Sequence, residues 1–363
     1  MIKLNNTAIG QRKLLPVDIV LHPSWWFHNE GIIFDEDFYF NPVKRVEVEK
    51  KMEKALYDRW GKYGLGRERD RDIPIIGAVH LAAGYLISEM LGCKVEYQED
   101  SAPQVQCARM EKMEIESANA FKSKAFKRFE KLVDSLKKKY GYLKGDVNWS
   151  GVLNTAMDLR GENIFIDMFD KPEKVSEYFS DIVEVIDKFT KGIQAETRST
   201  SISVNRNVRH FKSPIFLHSE CSHTMISVDD YEKFLLPFDI KWSRRNRPFG
   251  IHYCGTDPHR YAKPFARVPN LDFLDVGWGG DLKILRKHLP KTFMNIRLSP
   301  VEIINQSTGE IRRTIEKLVC DSANPWLTGV CCINMDYHVS DGKIDAIFET
   351  VNSLRKVYEA AVS

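Results

Sequence analysis

From about residue 215 to its end, the chain repeats one pattern: a short apolar run, a turn, then an amphipathic helix. The apolar runs fall over 215–217, 250–254, 273–276, 294–297 and 327–334, and the helical stretches over 228–245, 258–266, 281–289, 308–320 and 343–362. Such runs show little of the two-residue alternation of a half-exposed strand, so both of their faces must be covered. Strands of that kind, each followed by a helix, dictate a parallel sheet clothed in helices. Upstream, helical periodicity runs over 42–63, 78–91, 111–140, 162–169 and 172–197, with a further strand over 147–152. For 363 residues the architecture that accommodates this is α/β, a single (β/α)8 TIM barrel spanning 1–363. Its aromatic N-terminal part, residues 1–75, is expected to be an added helical cap.

Composition narrows the function. A hydrophobic fraction of 43% supports a sizeable core, and a net charge of +3 is too small to argue for nucleic acid. No run approaches the roughly 18 apolar residues of a membrane span. The first ten residues are polar, without the apolar centre of a secretion signal. Seven cysteines, irregularly spaced, fit free thiols in a reducing cytoplasm better than a disulfide framework.

In a barrel of this type, chemistry sits at the C-terminal ends of the strands. Ligand-capable residues recur there: His218 and Glu220, then His252 and Cys254, then Asp275 and Trp278, and last Cys331 and Cys332. His252 and Cys254 are two apart, so in an extended segment both point to one side and can grip one ion. An imidazole and a thiolate suit zinc, which needs at least one more donor. Cys331 and Cys332 are the candidates; neighbours face opposite sides of a strand, so one reaches the ion, and Cys332 is slightly favoured. The bland alternative is a buried cysteine beside an unrelated histidine. Glu220 and His218 share a strand face and are candidate catalytic residues, as a proton donor or a further ligand. Trp25, Trp26 and Phe27 offer flat walls for an aromatic ring, or else pack in the interior.

Several motifs in order extend the reading. Arg160-Gly161-Glu162 leads to Asp167-Met168-Phe169-Asp170-Lys171-Pro172-Glu173, and Met225-Ile226-Ser227-Val228-Asp229-Asp230-Tyr231 leads to Leu236-Pro237. His252-Tyr253-Cys254-Gly255 and Leu298-Ser299-Pro300 follow. Together, from about Gly145 onward, they resemble the uroporphyrinogen decarboxylase superfamily, in particular its zinc-dependent corrinoid methyltransferase branch. The resemblance implies zinc held by His252, Cys254 and a later cysteine; Cys331 lies 77 residues after Cys254. It departs where the Gly-Cys turn usual after the last strand is absent, with Asp336 near that position. It also implies methyl transfer between a small substrate and the cobalt of a corrinoid carried by a separate protein. No Asp-x-His-x-x-Gly for holding cobalt occurs in this chain. The aromatic N-terminus favours a methoxylated aromatic as methyl donor, with methylation of a thiol as the alternative. A porphyrinogen decarboxylase would need an N-terminal arginine cluster that is missing. A metal-free lyase and a non-catalytic subunit that docks the corrinoid carrier are the remaining alternatives.

Overall fold

The computed structural model describes residues 13–68, 71–76, 85–145, 149–198 and 211–361. Six parallel strands build the main sheet: β1 (Val17–Leu21), β2 (Phe216–Ser219), β3 (Phe249–His252), β4 (Leu271–Val276), β5 (Phe293–Leu298) and β6 (Thr328–Met335). β1 pairs with β6, and β5, β4, β3 and β2 follow outward in turn. Every residue of β1 to β5 is buried, and β6 exposes only Asn334. That is the burial demanded of a parallel sheet with helices on its outer face and side chains filling its concave one. The sheet curls into a half-barrel.

A separate pair of two-residue parallel strands, Ile75–Ile76 with Lys144–Gly145, completes the parallel pairing. Among the described residues this pair is not hydrogen-bonded to the six-stranded sheet, so closure of eight strands into a ring extends beyond what they show. The expected strand over 147–152 and the start of the helix over 78–91 fall partly outside the described residues; Val152 itself opens a helix.

The N-terminal region contributes to the sheet as well as covering it, since β1 lies within residues 1–75 and supplies one edge. Helix α1 (Pro23–Glu30) follows directly, opened by the His22 side chain accepting the Ser24 N–H and closed by Gly31 at φ 60°. It drives Trp25 and Trp26 into the core, where their rings meet edge-on at 5.0 Å. Trp60, at the end of α2 (Pro42–Trp60), lies 5.8 Å from Trp25, and the Arg59 guanidinium sits 5.0 Å from the Trp25 ring. These tryptophans are therefore packing residues, not walls of a substrate pocket.

Two expected helices depart from what periodicity suggests, for local reasons. The one over 111–140 starts as α3 (Lys124–Tyr140), because the Ser123 hydroxyl accepts the Phe126 N–H and sets the first turn. The one over 228–245 is interrupted by a wider π turn, Tyr231–Leu235, before α4 (Leu236–Arg245). Pro237 has no N–H to continue the ladder there. No helix among the described residues is long and apolar enough to cross a membrane.

Candidate metal centre

The register of the sheet assembles the site. Ser219 at the end of β2 lies opposite His252 at the end of β3, and His252 lies opposite Asp275 in β4. Two residues beyond Ser219 and His252 come Cys221 and Cys254. The loops that carry them approach so closely that a Cβ on Gly255 would fall 1.7 Å from a Thr224 methyl carbon. A glycine is required there for the two strand ends to stay together. As a result, one ligand atom from each of Cys221, His252 and Cys254 lies within 4.8 Å of the others.

The surroundings polarise this cluster. His252 Nδ1 donates to the Asp275 carboxylate, which turns Nε2 toward the sulfurs. Burial disfavours the imidazolium, but Asp275 and then Cys254 outweigh it and lift His252 to about 9. Cys254 is held well below the usual thiol range by the Cys221 hydrogen bond, and by Arg297 and His252 against the effect of burial. Cys221, donating to that sulfur and desolvated beside it, moves in the opposite direction. Arg297 Nη1 donates to Cys254 Sγ at 2.9 Å, and its guanidinium lies 5.0 Å from the Trp278 ring. Its Nε is buried without a partner among the described residues.

The donor set fits a divalent soft or borderline ion. Two sulfurs and an imidazole nitrogen converge, and the Asp275 carboxylate holds the ring from Nδ1, so an ion binding there would displace the proton at the other nitrogen. Arg297 adds a cation beside the site and Asp275 an anion, so their charges offset one another.

The other candidates take different places. Cys331 Sγ accepts from Asn295 Nδ2 at 3.1 Å and lies 3.8 Å from Asp275 Oδ1, on the concave face of the sheet. Cys332 points the other way, toward the Leu298 carbonyl at 3.6 Å, within the main hydrophobic core. Of this pair it is Cys331 that shares a face with Asp275, the reverse of the preference from sequence. Neither sulfur belongs to the three-donor cluster. Burial pushes Cys332 up to about 12, as for a thiol engaged in packing.

Glu220 and His218 lie deeper. The Glu220 carboxylate accepts the backbone N–H groups of Leu153 at 2.8 Å and Asn154 at 3.1 Å, at the start of the helix Val152–Arg160. It also accepts from Ser222 N at 3.3 Å. Burial pushes Glu220 up to about 7 against those donors and His218. His218 Nδ1 donates to Asp239 at 2.7 Å, and its Nε2, 3.7 Å from Glu220, makes no hydrogen bond among the described residues. Both side chains are fully buried, and geometry assigns them first to joining helix and sheet.

Sequence reasoning did not pick out Cys221 or Arg297. Aligning the ends of neighbouring strands would have found Cys221, since Ser219 and His252 are each followed by a cysteine two residues on. For Arg297 the signal was a charge inside an apolar strand.

No family model and no curated protein sequence matches this chain. Solved structures do. A methyltransferase from Methanosarcina mazei superposes with a TM-score of 0.64 at 12% identity, covering 94% of this chain and 95% of its own. A B12-independent methionine synthase from Shewanella sp. W3-18-1, in complex with selenomethionine, superposes with a TM-score of 0.53 at 11% identity, covering 96% of this chain and 100% of its own. At such identities the likeness establishes a shared fold and no more.

Proposed function

We propose that this protein is a metal-dependent methyltransferase that uses zinc, moving a methyl group between the cobalt of a separate corrinoid protein and a small sulfur substrate. The observation that carries the reading is the convergence of Cys221, His252 and Cys254 at the C-terminal ends of β2 and β3. The methyltransferase activity named for one protein of the same fold supports it by analogy. The methoxylated aromatic substrate loses its support, because Trp25 and Trp26 are core residues. A thiol is the acceptor that a sulfur-rich centre favours.

Cys221, His252 and Cys254 would hold the ion. When bound, it would lower the pKa of a thiol in an open coordination position and so supply a nucleophilic sulfur at neutral pH. Asp275 keeps the His252 Nδ1 proton and leaves Nε2 as the donor. Arg297 donates to the Cys254 sulfur through Nη1. The corrinoid, when docked, would supply the methyl group to the substrate sulfur, whose thiol proton would leave to solvent.

The test combines elemental analysis with transfer from methylcobalamin to small thiols, followed by the fading of the methyl-cobalt absorption. Stoichiometric zinc, loss of transfer on chelation and recovery with zinc are expected. Unchanged transfer in a protein carrying both His252→Ala and Cys254→Ala would sink the reading.

A further inference from the structure

The two sulfurs of the cluster lie just past the ends of adjacent parallel strands, each two residues beyond a paired position, Ser219 opposite His252. The sulfurs are already within 4.8 Å of one another, and both residues are partly exposed. The remaining buried thiols are held away: Cys331 by Asn295 and Asp275, Cys332 by the Leu298 carbonyl, and Cys93 by the Asp158 carbonyl at 3.3 Å. We propose that Cys221 and Cys254 form a reversible disulfide, so that a small-molecule disulfide oxidant switches this centre off by removing two of its three donors.

The chemistry balances with an oxidant such as oxidised glutathione. One sulfur of the pair attacks the oxidant's S–S bond, expelling one thiolate and leaving a mixed disulfide on the protein. Its neighbour then attacks the protein sulfur of that mixed disulfide, and the second small thiolate departs. Two protein thiols are oxidised, one disulfide is reduced to two thiols, and the two thiol protons pass to the departing sulfurs. A thiol reductant reverses both steps. The inference stands on the sulfur positions, and it touches the metal reading only through protection by zinc.

The test uses the full chain, freed of metal by chelation, then treated with oxidised glutathione, quenched in acid, unfolded, alkylated and digested for mass spectrometry. A peptide pair joining Cys221 to Cys254 is expected, with the other cysteines alkylated. In a Cys221→Ser protein, a glutathione adduct on Cys254 should persist instead of resolving, a readout that needs no activity. Equimolar zinc should slow bridging at least about tenfold. Absence of the joined peptide from the metal-free protein, or its replacement by a stable glutathione adduct on the native chain, overturns the proposal. Bridging that zinc fails to slow supports the disulfide while counting against the metal reading.

Discussion

Two buried imidazole–carboxylate pairs stand on neighbouring strands of this sheet, and they are built alike at Nδ1 but differ at Nε2. His252 donates to Asp275 and faces two sulfurs near the mouth of the half-barrel. His218 donates to Asp239, which also accepts the Tyr231 hydroxyl at 2.7 Å. The His218 ring stacks on Trp149 at 5.7 Å and meets Trp242 edge-on at 4.8 Å, and its Nε2 lies 3.7 Å from the Glu220 carboxylate. The same local motif therefore serves two ends. Beside soft donors it prepares a ligand; enclosed by indoles it ties strand β2 to helix α4. What surrounds the second nitrogen decides the role, not the pair itself.

Substitutions at the two pairs should separate along that line. Replacing a donor of the first, His252→Ala or Cys254→Ser, should lower zinc affinity by about a thousandfold or more, because one of three protein ligands is gone. Competition with a chromophoric chelator measures it, and affinity within threefold of the parent chain would remove that residue from the metal shell. Replacing the second imidazole, His218→Ala, should instead destabilise the fold by about 3–5 kcal/mol, since it leaves the Asp239 carboxylate buried with one donor fewer. Urea unfolding measures that loss, and zinc content should stay at the parent level. A His218→Ala protein that keeps its stability but loses its metal would reverse the assignment of the two pairs.

A subtler change probes the shared feature. Asp275→Asn keeps the shape of the side chain and a hydrogen bond, but removes the charge that orients the His252 ring. Outer-shell partners of this kind typically affect metal affinity by about 10- to 100-fold, and the variant is expected in that range. A smaller effect than that would mean the ring is positioned by the strand alone.

Much of this arrangement was legible in the residues. The strand and helix rhythm after residue 215 holds nearly element for element, since each strand is a short apolar run ended by a polar or small residue. The helix Pro172–Thr197 matches its expected bounds, punctuated by Asp170-Lys171-Pro172 before it. His252 and Cys254 were visible because residues two apart are a local property. Cys221 was not, because its meeting with Cys254 depends on which strands are neighbours and in what register. Glu220 was read from sequence as a proton donor or a further ligand, and that its oxygens cap a helix 66 residues or more distant in sequence was not visible. Long-range partners of that kind leave no periodic trace.

The smallest expected effect tests the alternation within β6. Cys332 faces the helix side and Cys331 the concave side, so neither should change the metal content much if Cys221 is the third donor. Cys332→Ala removes a buried sulfur from the core and should cost about 1 kcal/mol of stability, with zinc affinity unchanged. Cys331→Ala removes one acceptor of the Asn295 amide, which still donates to Asp275 Oδ1 at 3.1 Å, and takes the thiol from beside Asp275, a change felt at the second remove from His252. It should weaken zinc binding less than Asp275→Asn does, because only the orienting group's own partner is lost. If Cys331→Ala instead weakens binding as strongly as Cys254→Ser while Cys221→Ser does not, the third sulfur comes from β6. The centre would then span β3 to β6, and Cys221 would be left as the redox partner alone.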